Sequence, residues 1–212
     1  MQATRLIAIR HGETAWNADT RLQGHMDIAL NERGRWQAER AAQALADESF
    51  TAIYTSDLQR AQATAQALAT LTGHALQPHT GLRERHFGEL QGQTHAQIEE
   101  HFPDQALLWR QRDPHWTPPG CESLVMFHQR VTQTVAELAA AHLGEQIVLV
   151  AHGGVLDMLY RNATGQTLQA PRSWNLGNAT LNRLLWTPDA LTIVGWSDER
   201  HLDSESLDET TA

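Results

Sequence analysis

The sequence predicts an α/β protein, a three-layer α/β/α sandwich with a mostly parallel central sheet. Two observations carry that expectation: short buried-strand runs alternate with amphipathic helical runs, and no internal repeat or Gly/Ser linker divides the chain. At 212 residues the chain can bury about 70% of the surface its unfolded form exposes, enough for one self-sufficient core. A single domain over residues 1–196 is therefore expected, with 197–212 as an acidic tail.

The elements follow in order. Leu6-Ile-Ala-Ile9 is an apolar run inside an apparent strand from Arg5 to Arg10. Glu32 to Ala46 has helical periodicity, and Ala52 to Thr55 is a second strand. The next helix has a start signal, because Ser56-Asp-Leu-Gln59 fits a capping box and Leu58, Ala61, Ala65, Leu68 and Thr72 share one face. Glu122 to His142 is a long helix with Leu124, Phe127, Val131, Val135 and Leu138 as its core stripe. Gln146 to Ala151 is a buried strand that runs into His152-Gly-Gly154, and a helix begins from Val155. Leu181 to Trp186 and Leu191 to Trp196 close the sheet.

Composition removes several classes of function. No apolar run approaches the ~18 residues of a membrane-spanning helix, so no membrane partner is expected. The strand begins within five residues of Met1 with no apolar segment before it, which leads to a cytoplasmic expectation and makes the sequons at Asn162 and Asn178 chance matches. Cys121 is the one cysteine, which excludes a disulfide framework and a cysteine-based zinc site and leaves it as a packed bystander. The net charge of −9 argues against nucleic acid as a partner. Ser197 to Ala212 holds six acids, among them Glu205, Asp208 and Glu209, against Arg200. All 16 basic residues are arginines. Walker-type phosphate loops and Schiff-base chemistry both need a lysine and are excluded.

In open α/β sheets, ligands bind beyond the carboxyl ends of the strands. Three strand ends carry residues a core would not choose: Arg10-His-Gly-Glu-Thr14, Ser56-Asp-Leu-Gln-Arg60 and Ala151-His-Gly-Gly154. Two guanidinium forks and two imidazoles converging there would hold a tetrahedral oxyanion, and the ligand implied is a phosphoryl group. Gly12 is expected to let backbone approach the ligand closely, and Arg60 to add its charge at a helix N-terminus.

These motifs resemble those of the histidine phosphatase superfamily, also called phosphoglycerate mutase-like. The likeness runs through Leu6-Ile-Ala-Ile-Arg-His-Gly-Glu-Thr-Ala-Trp-Asn17, Arg21-Leu-Gln-Gly24, Leu30-Asn-Glu-Arg-Gly34, Ser56 to Arg60, Leu82-Arg-Glu-Arg-His-Phe-Gly88 and Ala151-His-Gly-Gly154, in family order. The resemblance implies His11 as a nucleophile that forms a phosphohistidine, with Arg10, Arg60 and His152 neutralising the phosphoryl oxygens. It implies Glu84 as the acid/base, Asn17, Gln23, Gly24 and Gly153 as substrate-binding positions, no metal and no cofactor. It also implies a small cap insertion at about 86–120, within which Gln91 to Gly120, with Trp109 and Trp116, would lid the site.

Plainer roles exist for the same residues. Arg10 and Arg60 could be ion-pair partners, and Glu84 could sit in a solvated cluster with Arg83, Arg85 and Glu89. His25, His74, His79, His101, His128, His142 and His201 read as surface or satisfied core residues. No helical His-x-x-x-His pair stands near a suitable carboxylate, which disfavours a histidine metal site.

Within the resembled family the expected activity is hydrolysis of a small phosphorylated metabolite. The alternative is a phosphoglycerate mutase using the same phosphohistidine. Family mutases place a lysine in the cap and carry a longer cap, and this chain does neither. Trp109-Arg-Gln-Arg112, Pro118-Pro119, His201-Leu-Asp203 and Leu207-Asp-Glu209 point the other way, with Arg110 and Arg112 as binders of a second anionic group. A non-catalytic phospholigand-binding protein is a third reading, opposed by the retention of His11 and Glu84 together. A homodimer is left open.

Overall fold

The computed structural model describes residues 2–117 and 120–203; Pro118, Pro119, Glu205, Leu207, Asp208 and Glu209 lie outside the described residues. The elements are β1 (Thr4–Arg10), α1 (Ala15–Ala18), α2 (Glu32–Ala44), β2 (Ala52–Thr55), α3 (Gln59–Thr72), β3 (Leu76–Pro78), α4 (His95–His101), α5 (Pro103–Arg110), α6 (Leu124–Ala140), β4 (Gln146–Ala151), α7 (Gly153–Thr164), β5 (Leu181–Thr187) and β6 (Ala190–Asp198). One sheet holds all six strands in the order β3-β2-β4-β1-β5-β6. The pairings β2·β3, β2·β4 and β1·β4 are parallel, while β1·β5 and β5·β6 are antiparallel. The mixed α/β fold follows the expected pattern.

The central strands β1 and β4 are apolar on both sides because both faces of the sheet are covered there. Along β1, Leu6 and Ala8 pack into the core under α6 and α7, whereas Ile7 and Ile9 pack into the core under α2 and α3. Ile147, Leu149 and Ala151 of β4 repeat the first set, and Val148 and Val150 the second. This two-residue alternation fixes which way each strand end faces. A third, smaller cluster lies in the segment after Arg85, where Leu90, Ile98 and Ala106 are buried against Leu22, Phe87, Phe102, Trp109 and Trp116. Among the described residues, no helix is long and apolar enough to cross a membrane.

Several boundaries differ from expectation. The Ser56 capping box does not form. Leu58 is the α3 N-cap, without a side-chain cap bond, and Ser56 Oγ instead faces His152 Nε2 at 2.8 Å. Helix α7 starts at Gly153 rather than Val155. Strand β6 runs past the expected boundary at 196, because Asp198 pairs with Leu181. Strand β3 is only three residues and half polar, too short for a periodic signal. Asn178 donates its Nδ2–H to His11 O at 2.9 Å and so fixes the end of β1.

Candidate active site

Parallel pairing of Arg10 with Ala151 brings the ends of β1 and β4 side by side, and the His11 N–H continues the ladder to Ala151 O at 3.0 Å. The next residues are therefore neighbours. The His11 and His152 rings stand 5.2 Å apart at 61°, with His11 3% exposed and His152 fully buried. His11 Nδ1 lies 2.7 Å from Gly12 O, and since a carbonyl only accepts, Nδ1 must carry the proton. The lone pair is then on Nε2. Burial first, then Arg60 and Arg10, holds the His11 imidazole well below its usual range. Burial and then Arg60 do the same to His152.

The two arginines are fixed by backbone carbonyls. Arg60, with no exposed surface, donates from Nη1 to Met26 O at 2.8 Å and from Nη2 to Gly24 O at 2.7 Å. Burial lowers its pKa to about 10, so it stays a cation at neutral pH. Arg10 donates from Nη1 to Leu176 O. Among the described residues the Nε atoms of both arginines and Nδ1 of His152 are buried without a partner. Buried N–H groups are almost always satisfied, so these mark positions for an acceptor. Gly24 adopts φ of +50°, which turns its carbonyl to Arg60, and a Cβ there would fall 2.2 Å from Gln91 Oε1. Gly12 has another role than expected. A Cβ on it would strike Gly34 O at 2.3 Å, so it serves the packing of the β1 end on α2.

Glu84 follows the short helical turn at Thr80–Leu82. Its Oε2 accepts from Gly154 N–H at 3.0 Å, in the first turn of α7, and its Oε1 from Arg85 N–H at 2.8 Å. The loop beneath is held by Arg130, which bonds Glu122 twice at 2.7 Å and reaches Gly81 O, Arg83 O and Glu84 O. His25, expected to be a bystander, contacts Glu84 O through Nε2 at 2.8 Å.

These groups border one cavity of about 830 Å³, lined by Arg10, His11, Asn17, Gln23, Gly24, Arg60, Glu84, Arg112 and Gly153. His152 stands behind His11. Asn17 gives its Oδ1 to the cap of α1, accepting from Thr14 N–H at 3.1 Å. Gln23 is 7% exposed with Oε1 unpartnered. Arg110 is the correction. It pairs with Glu99 at 2.5 Å on the outer surface, its side chain 59% exposed, and does not border the cavity.

Arg85, Arg172 and Asp157 are among the lining residues that had not been singled out as site residues. Arg85 is buried in a triangle of Phe87, Trp109 and Trp116, its guanidinium 5.8, 5.7 and 6.0 Å from the ring centres, and burial lowers its pKa to about 10. Arg172 lies in an exposed stretch with no sequence signal. Asp157 had one, since it stands one turn along α7 from Gly153 and Gly154. The described residues hold no cluster of three His, Cys, Asp or Glu side chains suited to a metal ion.

The carboxyl ends of central strands that offer buried imidazoles beside fixed guanidinium groups define a class of phosphoryl-handling α/β enzymes. The family model of the histidine phosphatase superfamily (branch 1) matches residues 6–199, and the chain belongs to that family. It is 39% identical over 203 residues to the glucosyl-3-phosphoglycerate phosphatase of Mycobacterium tuberculosis, covering 89% of each chain. The solved structure of a mycobacterial glucosyl-3-phosphoglycerate phosphatase superposes with a TM-score of 0.83 at 36% identity, over 93% of this chain and 100% of that one. Identity is 36% both to phosphoglycerate mutase-like protein 4 of Arabidopsis thaliana (93% of this chain, 86% of the relative) and to a metal-independent phosphoserine phosphatase of the same plant (96% and 85%).

Proposed function

We propose that this chain is a metal-independent phosphomonoester hydrolase that acts on a small phosphorylated metabolite through a phosphohistidine on His11. The carrying observation is the state of His11: neutral, with its lone pair on Nε2, near two arginines whose Nε–H groups have no acceptor among the described residues.

His11 Nε2 attacks phosphorus while the bond to the ester oxygen breaks, and a proton from the Glu84 carboxyl passes to that oxygen. Arg10 and Arg60 neutralise the oxygens as charge spreads over them, and the buried, uncharged His152 adds hydrogen bonding rather than charge. Glu84, now a carboxylate, takes a proton from water as the water oxygen attacks phosphorus and the P–N bond breaks. Phosphate leaves and His11 is neutral again.

Mutase activity uses the same intermediate, and several relatives carry mutase or mutase-like names. Hydrolysis is favoured because the chain has no lysine and because Arg110, half of the expected second anion site, is engaged with Glu99. The test is incubation with p-nitrophenyl phosphate in excess chelator, and with 3-phosphoglycerate with and without 2,3-bisphosphoglycerate. Release of phosphate in chelator supports the reading. Bisphosphoglycerate-dependent interconversion without release would make it a mutase, and inertness in both assays a binding protein.

A further inference from the structure

The cavity extends beyond the phosphate end along one face of α7. Asp157 lies three residues past Gly154, hence just under one helical turn, about 4.5 Å along the axis, beyond the N–H that anchors Glu84. Its side chain is 8% exposed. Oδ2 accepts from Arg161 Nε at 3.0 Å and Arg112 Nη2 at 3.3 Å, while Oδ1 is buried and has no partner among the described residues. Trp174 lines the same cavity with its Nε1–H buried and also without an acceptor. Its ring is fixed by stacking on Tyr160, with centroids 4.1 Å apart, and by the Arg161 guanidinium 4.8 Å above it. Arg161 thus touches both residues.

A rigid acceptor and a rigid donor in one cavity match a group that both donates and accepts. A hydroxyl does so without adding charge. An ammonium would meet Arg112, Arg161 and Arg172 nearby, and a bare alkyl chain would leave both polar atoms unpaired. We propose that Asp157 and Trp174 form a leaving-group subsite that reads a hydroxyl on the alcohol portion of the substrate, which makes the substrate class phosphorylated polyols and sugars. The inference rests on the phosphatase reading above.

The probes are glycerol 3-phosphate, propyl phosphate and 3-aminopropyl phosphate, with p-nitrophenyl phosphate as the reporter of phosphatase activity. Wild type should favour glycerol 3-phosphate over propyl phosphate at least tenfold in kcat/KM, with 3-aminopropyl phosphate no better than propyl phosphate. Asp157→Asn, which presents an amide donor where an acceptor is needed, should shrink that ratio to about twofold, and Trp174→Phe should shrink it partway. The ratio is internal to each preparation, so partial loss of folded protein does not disturb it. A wild-type ratio near one, a preference for the amine, or an unchanged ratio in both variants would overturn the subsite. So would inertness toward all three probes in a protein that hydrolyses p-nitrophenyl phosphate, and in these four cases the phosphatase reading survives. Inertness toward p-nitrophenyl phosphate as well would end that reading and the subsite with it.

Discussion

Gly154 donates its backbone N–H to the Glu84 carboxylate at 3.0 Å, and a Cβ on Gly154 would fall 2.1 Å from Glu84 Oε1. The loop carrying the proposed acid is thereby keyed to the N-terminus of α7, the helix that begins immediately after His152. That N–H belongs to the first turn of a 12-residue helix, and the missing side chain leaves room for the Glu84 side chain.

Gly154→Ala should therefore displace Glu84 and act as a milder version of Glu84→Gln. Both should lower turnover of alkyl phosphates on the order of 10² or more, because a poor leaving group needs a proton. The phosphorylation step with p-nitrophenyl phosphate should be nearly unaffected. Since water activation is lost as well, Glu84→Gln should give a burst followed by slow turnover on the aryl substrate. Rapid-mix kinetics checks this. Equal losses on both substrates without a burst would move the acid role to another carboxylate lining the cavity, starting with Asp113.

Arg60→Ala should reduce kcat/KM on the order of 10² and weaken inhibition by vanadate, through loss of a fixed charged donor. It also leaves Gly24 O and Met26 O without their donor, so the melting temperature should fall. Arg60→Lys keeps the charge but not the fork and should recover only part of the vanadate affinity. Unchanged vanadate inhibition in the alanine variant would place Arg60 outside the phosphate site.

The two buried histidines make stability pH-dependent. Both are held below the usual imidazole range in the folded state, so the unfolded chain binds their protons first as pH falls past about 6.5. Stability is then full above that pH and is lost on acidification toward the folded values, by up to about 1.4 kcal/mol per pH unit for each group. His25, His128 and His201 shift the same way, each chiefly through burial. Urea unfolding at pH 7.5 and 5.5 should give a smaller pH-dependent loss for His11→Gln than for wild type. An equal loss in both would mean that His11 titrates normally.

The layers of the fold were legible because β1 and β4 are apolar on both sides and bounded by charged or glycine-rich ends. His11, Arg10, Arg60 and Gly153 could be found for the same reason, since each follows or flanks such a run, whereas Glu84 was implied by the family resemblance alone. Ser56 was misread because serine, two residues and a polar residue look alike whether the hydroxyl caps a helix or meets a histidine 96 positions away. Arg110 and Arg112 were indistinguishable in sequence, but residues two apart on a helix do not share a face. Arg112 lies past the end of α5 at φ of +51°, which turns it inward to Asp157, while Arg110 stays outside with Glu99. Trp174 escaped because its significance lies in what it fails to bond, which no spacing records.

The central claim is a covalent phosphoryl group on His11, and the direct measurement is transfer of label from a ³²P-phosphorylated aryl ester to protein, quenched and probed for stability. Wild type should carry acid-labile, alkali-stable label at a level raised in Glu84→Gln. His11→Ala should carry none, with kcat lowered on the order of 10³ or more and an unchanged circular dichroism spectrum. Equal labelling of wild type and His11→Ala, or label that survives acid and is lost in alkali, would contradict the account.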